Sequence, residues 1–169
     1  MKDLKTVGDL FEQAILCERT AKAVYSQLTQ MFPDTLDASI IFDDLARDEE
    51  RHAMELEMVR DGLSEVELGS SADPEMTKKL KEMGDLSVRK LLAPVNNLND
   101  AYELAHELEY SEINKVFEVL AMKAVPTETQ KSFVLAEIRQ HFAKLDVLAN
   151  RFPNCEARMR IAVKCRPVT

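Results

Sequence analysis

The 169 residues suffice for one domain with a substantial buried core. Asp and Glu number 30 against 22 Lys and Arg, and the net charge of -8 would repel a nucleic-acid backbone on average. We therefore do not expect a nucleic-acid-binding protein. No run of 18 apolar residues occurs, so we do not expect a protein that spans a membrane either.

The cysteines are few and irregularly spaced. Cys17, Cys155 and Cys165 are odd in number, and no two of them form a C-x-x-C pair. We interpret them as reduced thiols of a cytoplasmic protein rather than a disulfide framework. Cys155 and Cys165 could approach each other, and the sequence leaves that question open. The first residues lack the apolar run of a signal peptide, which also favours a cytoplasmic location.

Two long helices are predicted in the first part of the chain. The residues T-V-G-D at 6–9 are typical of a capping box and predict a first helix that ends near residue 32, before Pro33. Apolar residues at helical spacing predict a second helix over about 35–60, with Gly62 as its stop signal. Because few residues join them, the two helices should be antiparallel neighbours.

A long crossover and a second helical pair follow. Residues 69–97 are rich in serine, proline and lysine, and short helical pieces are expected near 75–83 and 86–93. A third helix is predicted over about 98–124, before Pro126, and a fourth from a second capping box at 127–130 to about residue 152.

The order of these elements predicts an all-α fold. Two antiparallel helical hairpins joined by a long crossover make a four-helix bundle of a known topology. We assign residues 1–154 to this bundle and residues 155–169 to a C-terminal tail or short fifth helix.

Ionisable side chains interrupt the apolar faces of all four predicted helices. They are Glu18 in the first helix, Glu49 and His52 in the second, Glu109 in the third, and Glu137 with His141 in the fourth. Burying an unpaired carboxylate costs several kcal/mol, on the order of the penalty for one buried ion. Two divalent cations would neutralise the four carboxylates. One Glu from each of two helices, with a Glu and His from each of the others, is the donor set of ferritin-like di-iron bundles.

Less specific interpretations exist for each residue alone. Glu18 could lie at the edge of its helix and pair with Arg19 or Lys22, and His52 could be a half-exposed surface residue. Glu109 shares its helix with several other acids, and acidic runs are usually solvated. The agreement of all four helices favours the metal site over these separate explanations.

The first hairpin resembles the rubrerythrin family. Ala14-Ile15-Leu16-Cys17-Glu18, with Tyr25 seven residues later, resembles its first helix, and residues 42–53, F-x-x-L-A-x-x-E-x-x-H-A, resemble its second. The resemblance extends loosely to about residue 152. It implies that Glu18, Glu49, His52 and Glu109 bind two iron ions, through which they would act in catalysis, and that Tyr25 lies beside the ligands or packs near them.

The fourth helix departs from the family pattern. The family would place Glu at position 139 and His at 142, where this chain has Arg139 and Phe142. Glu137 and His141 offer an i, i+4 alternative, which a π-bulge or register shift could bring into place. His106, three residues before Glu109, is a reserve ligand. A degenerate second half-site would leave one metal or none.

The resemblance implies reduction of hydrogen peroxide or dioxygen at the iron pair, in oxidative-stress or iron metabolism. The 169 residues hold no paired C-x-x-C motifs of a rubredoxin domain, so a separate electron-donor protein is expected. Bundles of this kind often pair, so a homodimer is also expected. Manganese or a mixed pair could use the same ligands. Two alternatives stay open: iron binding of the ferroxidase type, and a metal-free helical interaction module whose glutamates pair with Arg51, Lys115 or Arg139.

Overall fold

The computed structural model describes residues 4–82 and 87–109, with Leu120 and Val147 as single helical positions. Its elements in chain order are α1 (Val7–Met31), α2 (Leu36–Asp61), α3 (Glu65–Leu68), α4 (Pro74–Glu82), α5 (Val88–Leu92) and α6 (Leu98–Glu109). The described residues contain no β-strand beyond one isolated bridge, between Thr6 and Ser71. The all-α prediction is therefore confirmed for this part of the chain.

The capping box predicted at the start of α1 is present. The Asp9 amide donates to the Thr6 hydroxyl at 3.1 Å, and the Thr6 amide donates back to the Asp9 carboxylate at 3.0 Å. These bonds satisfy amides that have no partner within the helix. The helix ends at Met31, two residues before Pro33, as the sequence predicts.

Helices α1 and α2 form the predicted antiparallel hairpin. The connection is only four residues long, over 32–35. Arg19 contacts Glu57 while Lys22, one turn later in α1, contacts Glu50, two turns earlier in α2. Such opposed numbering is what antiparallel neighbours produce. The second helix extends to Asp61 and is followed by Gly62, within one residue of the prediction.

A short helix between α2 and the crossover was missed by the sequence analysis. Helix α3 follows α2 closely and begins with its own capping box, in which the Glu67 amide donates to the Ser64 hydroxyl at 3.3 Å. Four residues are too few to show a periodic apolar pattern, and none of them is buried. The helices at Pro74–Glu82 and Val88–Leu92 confirm the other two predicted pieces.

The start of the crossover is attached to the start of α1. The Val7 amide donates to the Ser70 carbonyl at 3.0 Å, and the Ala72 amide donates to the Lys5 carbonyl at 2.9 Å. From this point α4 places Met76 and Leu80 in the core. The N-terminal end of the hairpin is thereby covered.

The apolar core has two clusters with a polar layer between them. Along α1, Ala14 belongs to one cluster and Ala21 to the other, and Glu18 lies between them. Along α2, Ala46 and Ala53 are divided in the same way. The polar layer therefore lies at mid-height in the hairpin, where water has little access.

The remaining predictions on architecture fall outside the described residues. They concern the third helix beyond Glu109, the fourth helix, and the tail with Cys155 and Cys165. The domain division at residue 154 stays a prediction. Among the described helices, none combines the length and apolarity needed to cross a membrane.

Candidate metal centre

Three of the predicted ligands are buried together between α1 and α2. Glu18 is 0% exposed, Glu49 is 3% exposed and His52 is 1% exposed. Glu49 and His52 are three residues apart and so project from one face of α2, toward the Glu18 face of α1. The interpretation of His52 as a half-exposed surface residue is wrong.

The donor atoms of these residues converge. Nδ1 of His52 lies 3.4 Å from Oε2 of Glu49 and 3.6 Å from Oε2 of Glu18. One ligand atom from each residue falls within 4.8 Å of the other two, so the group could hold a metal ion. Ligands on bonds of about 2.1 Å, in tetrahedral or octahedral geometry, are separated by about 3.0–3.4 Å. Small movements of these side chains would bring all three onto one ion.

The carboxylate of Glu18 shows why a cation fits here. Both of its oxygens are buried, and neither accepts a hydrogen bond from the described residues. The basic neighbours that could have neutralised it point elsewhere: Arg19 contacts Glu57 at 2.6 Å, and Lys22 pairs with Glu50. The interpretation of Glu18 as an edge residue paired with those cations is therefore wrong. A buried carboxylate of this kind is stabilised by an ion that it can coordinate.

Arg51 forms ion pairs with two acids of α2. Its guanidinium lies 3.2 Å from Asp48 and 3.8 Å from Glu55, both on its own helix. The metal-free module in which Arg51 neutralises the glutamates stays an alternative. The partners suggested for that module at positions 115 and 139 lie outside the described residues.

The pKa values show how the site is compensated without a metal. Burial and then the neighbouring Glu18 charge raise the pKa of Glu49, against the lowering effect of His52. Burial alone would lower the pKa of His52, but the two carboxylates outweigh it and raise that pKa. Both shifts favour the protonated forms of Glu49 and His52, so metal binding at this site would release protons.

Glu109 is buried beside this group but is not part of it. It is 1% exposed, which contradicts the interpretation of its acidic run as a solvated face at this position. The Tyr25 hydroxyl donates to Glu109 Oε1 at 2.7 Å, and the Ala105 carbonyl is farther away, at 3.4 Å. Burial and then the Glu109 charge raise the pKa of Tyr25, so the phenol keeps its proton and remains a donor. Tyr25 therefore contacts Glu109, one of the predicted ligands, and its place beside bound metal stays a prediction.

The structure gives less information about His106 and about the predicted ligands of the fourth helix. His106 is half-buried on α6, and its ring lies 6.3 Å from that of Tyr102, in tilted orientation. The three-residue group does not include it, and its role as a reserve ligand stays a prediction. Glu137 and His141 lie outside the described residues, so their role as ligands also stays a prediction.

Two further buried residues, Asp48 and Cys17, lie next to the predicted ligands. Asp48 is buried next to Glu49 and pairs with Arg51 across one helical turn. The i, i+3 spacing of Asp48 and Arg51 is the sequence feature that could have predicted this ion pair. Cys17, next to Glu18, is a free buried thiol whose pKa burial raises to about 11, so it is a packing residue rather than a nucleophile.

A buried glutamate–histidine cluster between paired helices is the arrangement found in helical carboxylate metal proteins. The family model described as Rubrerythrin matches residues 9–138, which is more than half of the chain. The chain therefore belongs to the rubrerythrin family. No curated protein and no solved structure matches it significantly.

Membership in the family confirms the ferritin-like helical bundle predicted from the sequence. It also supports a di-iron protein, because the family binds a pair of irons and Glu18, Glu49 and His52 could hold a metal. The match ends at residue 138, so it includes Glu137 but stops before His141. That limit falls where the sequence departs from the expected pattern in the fourth helix.

Proposed function

We propose that this protein is a di-iron oxidoreductase that reduces hydrogen peroxide, with dioxygen as the alternative oxidant. The observation that carries the proposal is the convergence of Glu18, Glu49 and His52 in a dry layer between two apolar clusters. Two carboxylates and an imidazole are suitable ligands for iron and for manganese, and iron is proposed because of the family.

The ligands proposed for the second ion are Glu109, Glu137 and His141. Glu109 is already buried beside the first group, which supports its place in this set. When bound, a pair of ferrous ions supplies one electron from each metal to a small oxidant. Reduction of hydrogen peroxide to two waters consumes these two electrons and two protons.

The protein's own residues provide the surroundings of this chemistry. The apolar clusters above and below the polar layer limit access of water, which strengthens the electrostatic interactions within it. The Tyr25 phenol keeps its proton and holds the Glu109 carboxylate in a defined position. The pKa of Glu49 is raised in the metal-free site, so a bound cation would displace its proton.

Electrons for repeated turnover are proposed to come from a separate protein. The 169 residues hold three cysteines and no C-x-x-C pair that could bind rubredoxin-type iron. A homodimer and a cytoplasmic location stay predictions, the first from the family resemblance and the second from the cysteine content and the N-terminal residues.

The test compares two adjacent glutamates of α2. Protein loaded anaerobically with ferrous iron is mixed with hydrogen peroxide and a reductant, and peroxide consumed per chain is measured. We expect many turnovers for the unaltered protein and a loss of at least about 100-fold for Glu49→Gln, the scale on which the loss of a ligand or its support acts. Glu50→Gln, which removes a half-exposed acid paired with Lys22, should keep full activity.

Two outcomes would contradict the proposal. Turnover that survives in Glu49→Gln means that the assigned site is not the reactive one. Consumption that stops after one reaction per bound iron, even with reductant present, favours iron storage or transfer of the ferroxidase type instead.

A further inference from the structure

The side of α2 that faces away from the metal centre carries exposed apolar residues. Four large apolar side chains of this helix are at least half exposed: Leu36 at 68%, Ile40 at 50%, Met54 at 55% and Met58 at 69%. Single apolar residues scattered over a surface need no explanation, whereas several on one face of a helix form a patch that another molecule can cover.

The spacing of these residues places them on one face of the helix. Ile40, Arg47 and Met54 follow one another at intervals of seven residues, which is two helical turns. Leu36 and Met58 lie one turn farther out, four residues from Ile40 and Met54 respectively. We call these five residues the α2 face. It is about 33 Å long from Leu36 to Met58, given a helical rise of about 1.5 Å per residue.

The pattern of the α2 face is the same from either end. The Arg47 side chain, which is 73% exposed, is at the centre, and two apolar residues follow at matching intervals on each side. A surface with this symmetry fits an antiparallel copy of itself, because a two-fold axis through the centre brings each end of one helix to the opposite end of the other. A partner of different sequence gives no reason for this repetition.

We propose that the α2 face is a homodimer interface, in which two α2 helices pack antiparallel about a two-fold axis near Arg47. In this arrangement Leu36 contacts the partner's Met58, and Ile40 contacts the partner's Met54. The apolar side chains at both ends of the face are then removed from water, which is the main driving force of association.

The charged residues at the centre of the face suit this pairing. Arg47 forms ion pairs with Asp43 and Asp44 of its own helix, and the side chains of these acids are 47% and 45% exposed. Across the axis, the partner's Asp43 and the partner's Asp44 come within about one helical turn of Arg47. Attraction between these groups opposes the overall repulsion between two chains of net charge -8.

The inference does not depend on the proposed function, because it concerns an exposed face rather than the metal centre. Sedimentation velocity of the full chain over a range of protein concentrations, without peroxide, measures the dissociation constant of the dimer. We expect a reversible equilibrium between monomer and dimer. Ile40→Glu and Met54→Glu should each raise the dissociation constant at least about tenfold, since each change places two additional acids in one interface.

Val66→Glu is the matched control. It replaces an apolar residue that is 84% exposed and lies on α3, outside the α2 face. The dissociation constant of the dimer should change by less than about twofold, as for residues outside an interface. Far-ultraviolet circular dichroism and the urea midpoint establish that each variant is folded.

Cysteine cross-linking tests the antiparallel order of the helices. In a chain whose Cys155 and Cys165 are replaced by serine, Arg47→Cys should form a disulfide between chains when oxidised glutathione is added, because a residue near the axis meets its own copy. Ile40→Cys is the control on the same face. Its two copies lie about 21 Å apart along the helices, and a disulfide requires Cα atoms within about 7 Å, so it should remain reduced.

Three results would overturn the inference. A chain that stays monomeric at every concentration has no such interface. A dimer that persists unchanged in Ile40→Glu and Met54→Glu is formed by another surface. Cross-linking of Ile40→Cys as readily as Arg47→Cys means that the two helices are parallel or that their contact is not specific.

Discussion

The same two helices, α1 and α2, meet through two sets of charges that are arranged in opposite ways. On the outer side, Arg19 contacts Glu57 and Lys22 pairs with Glu50, so each acid has a base. On the inner side, Glu18 and Glu49 both lie beside His52, with Oε2 of each carboxylate within 3.6 Å of its Nδ1. We call the two ion pairs the outer seam, which is balanced in charge and in contact with water. We call Glu18, Glu49 and His52 the inner seam, which carries more acids than bases and is buried.

This difference shows which charges are informative about function. Exposed ion pairs add little stability because water screens them and their long side chains lose entropy. Excess negative charge in a dry layer is costly and is retained where something else compensates it. Glu50 and Glu49 are adjacent in the sequence, yet only Glu49 carries that implication.

The largest expected effect in this comparison is that of the metal itself. With free ferrous or manganous ion at 100–1,000 times its dissociation constant, one occupied position stabilises the fold by about 3–4 kcal/mol. For a chain of this size that corresponds to a rise in melting temperature on the order of 6–16 °C. Thermal melts with metal, and after removal of metal by a chelator, measure this difference.

The matched variants are again Glu49→Gln and Glu50→Gln. The stabilisation by metal should disappear in the first and persist in the second. If both variants keep it, the metal binds at some place other than the inner seam.

A smaller effect of opposite sign is expected from Glu18→Gln without metal. This change removes one of two buried acids that repel each other, and its amide can donate to Glu49. We expect the free energy of unfolding of the metal-free protein to rise by about 1–2 kcal/mol, as for other replacements of buried charge. Urea unfolding in the presence of a chelator measures it.

The same variant should no longer be stabilised by added metal. Glu57→Gln serves as the control, since it removes an acid of the outer seam. A metal-free Glu18→Gln protein that is less stable than the unaltered chain would show that Glu18 has a favourable partner in the folded protein, and the argument from uncompensated charge would fail.

The sequence predicted those features of the site that depend on helical phase. Glu18, Glu49 and His52 lie on apolar stripes with a period of 3.6 residues, and that period alone directs them to the interior. The capping box at Thr6 was similarly local, since it depends on a hydrogen bond across three residues. Such features are encoded within one element and so can be inferred from one sequence.

Features that depend on how distant elements pack could not be inferred in the same way. The hydrogen bond from Tyr25 to Glu109 joins residues 84 positions apart, and nothing in the spacing specifies which acid the phenol contacts. Asp48 lies beside the predicted stripe, so its burial does not follow from the helical period. Helix α3 is too short for its capping box to be supported by periodicity.

The smallest expected effect is that of opening the outer seam. Lys22→Met removes the base of a pair whose side chains are 43% and 39% exposed. We expect a loss of no more than about 1 kcal/mol in the free energy of unfolding, reduced further in 1 M salt. Metal affinity at the inner seam should change by less than about threefold, because Glu50 does not belong to the three-residue group.

Urea unfolding at low and high salt, together with a metal titration, measures both quantities. The comparison of the two seams requires that Lys22→Met and Glu49→Gln act on different properties, the first on stability alone and the second on metal binding. A large loss of metal affinity in Lys22→Met would mean that Lys22 and Glu50 influence the inner ligands. The balanced outer seam would then be part of the metal site rather than a separate surface feature.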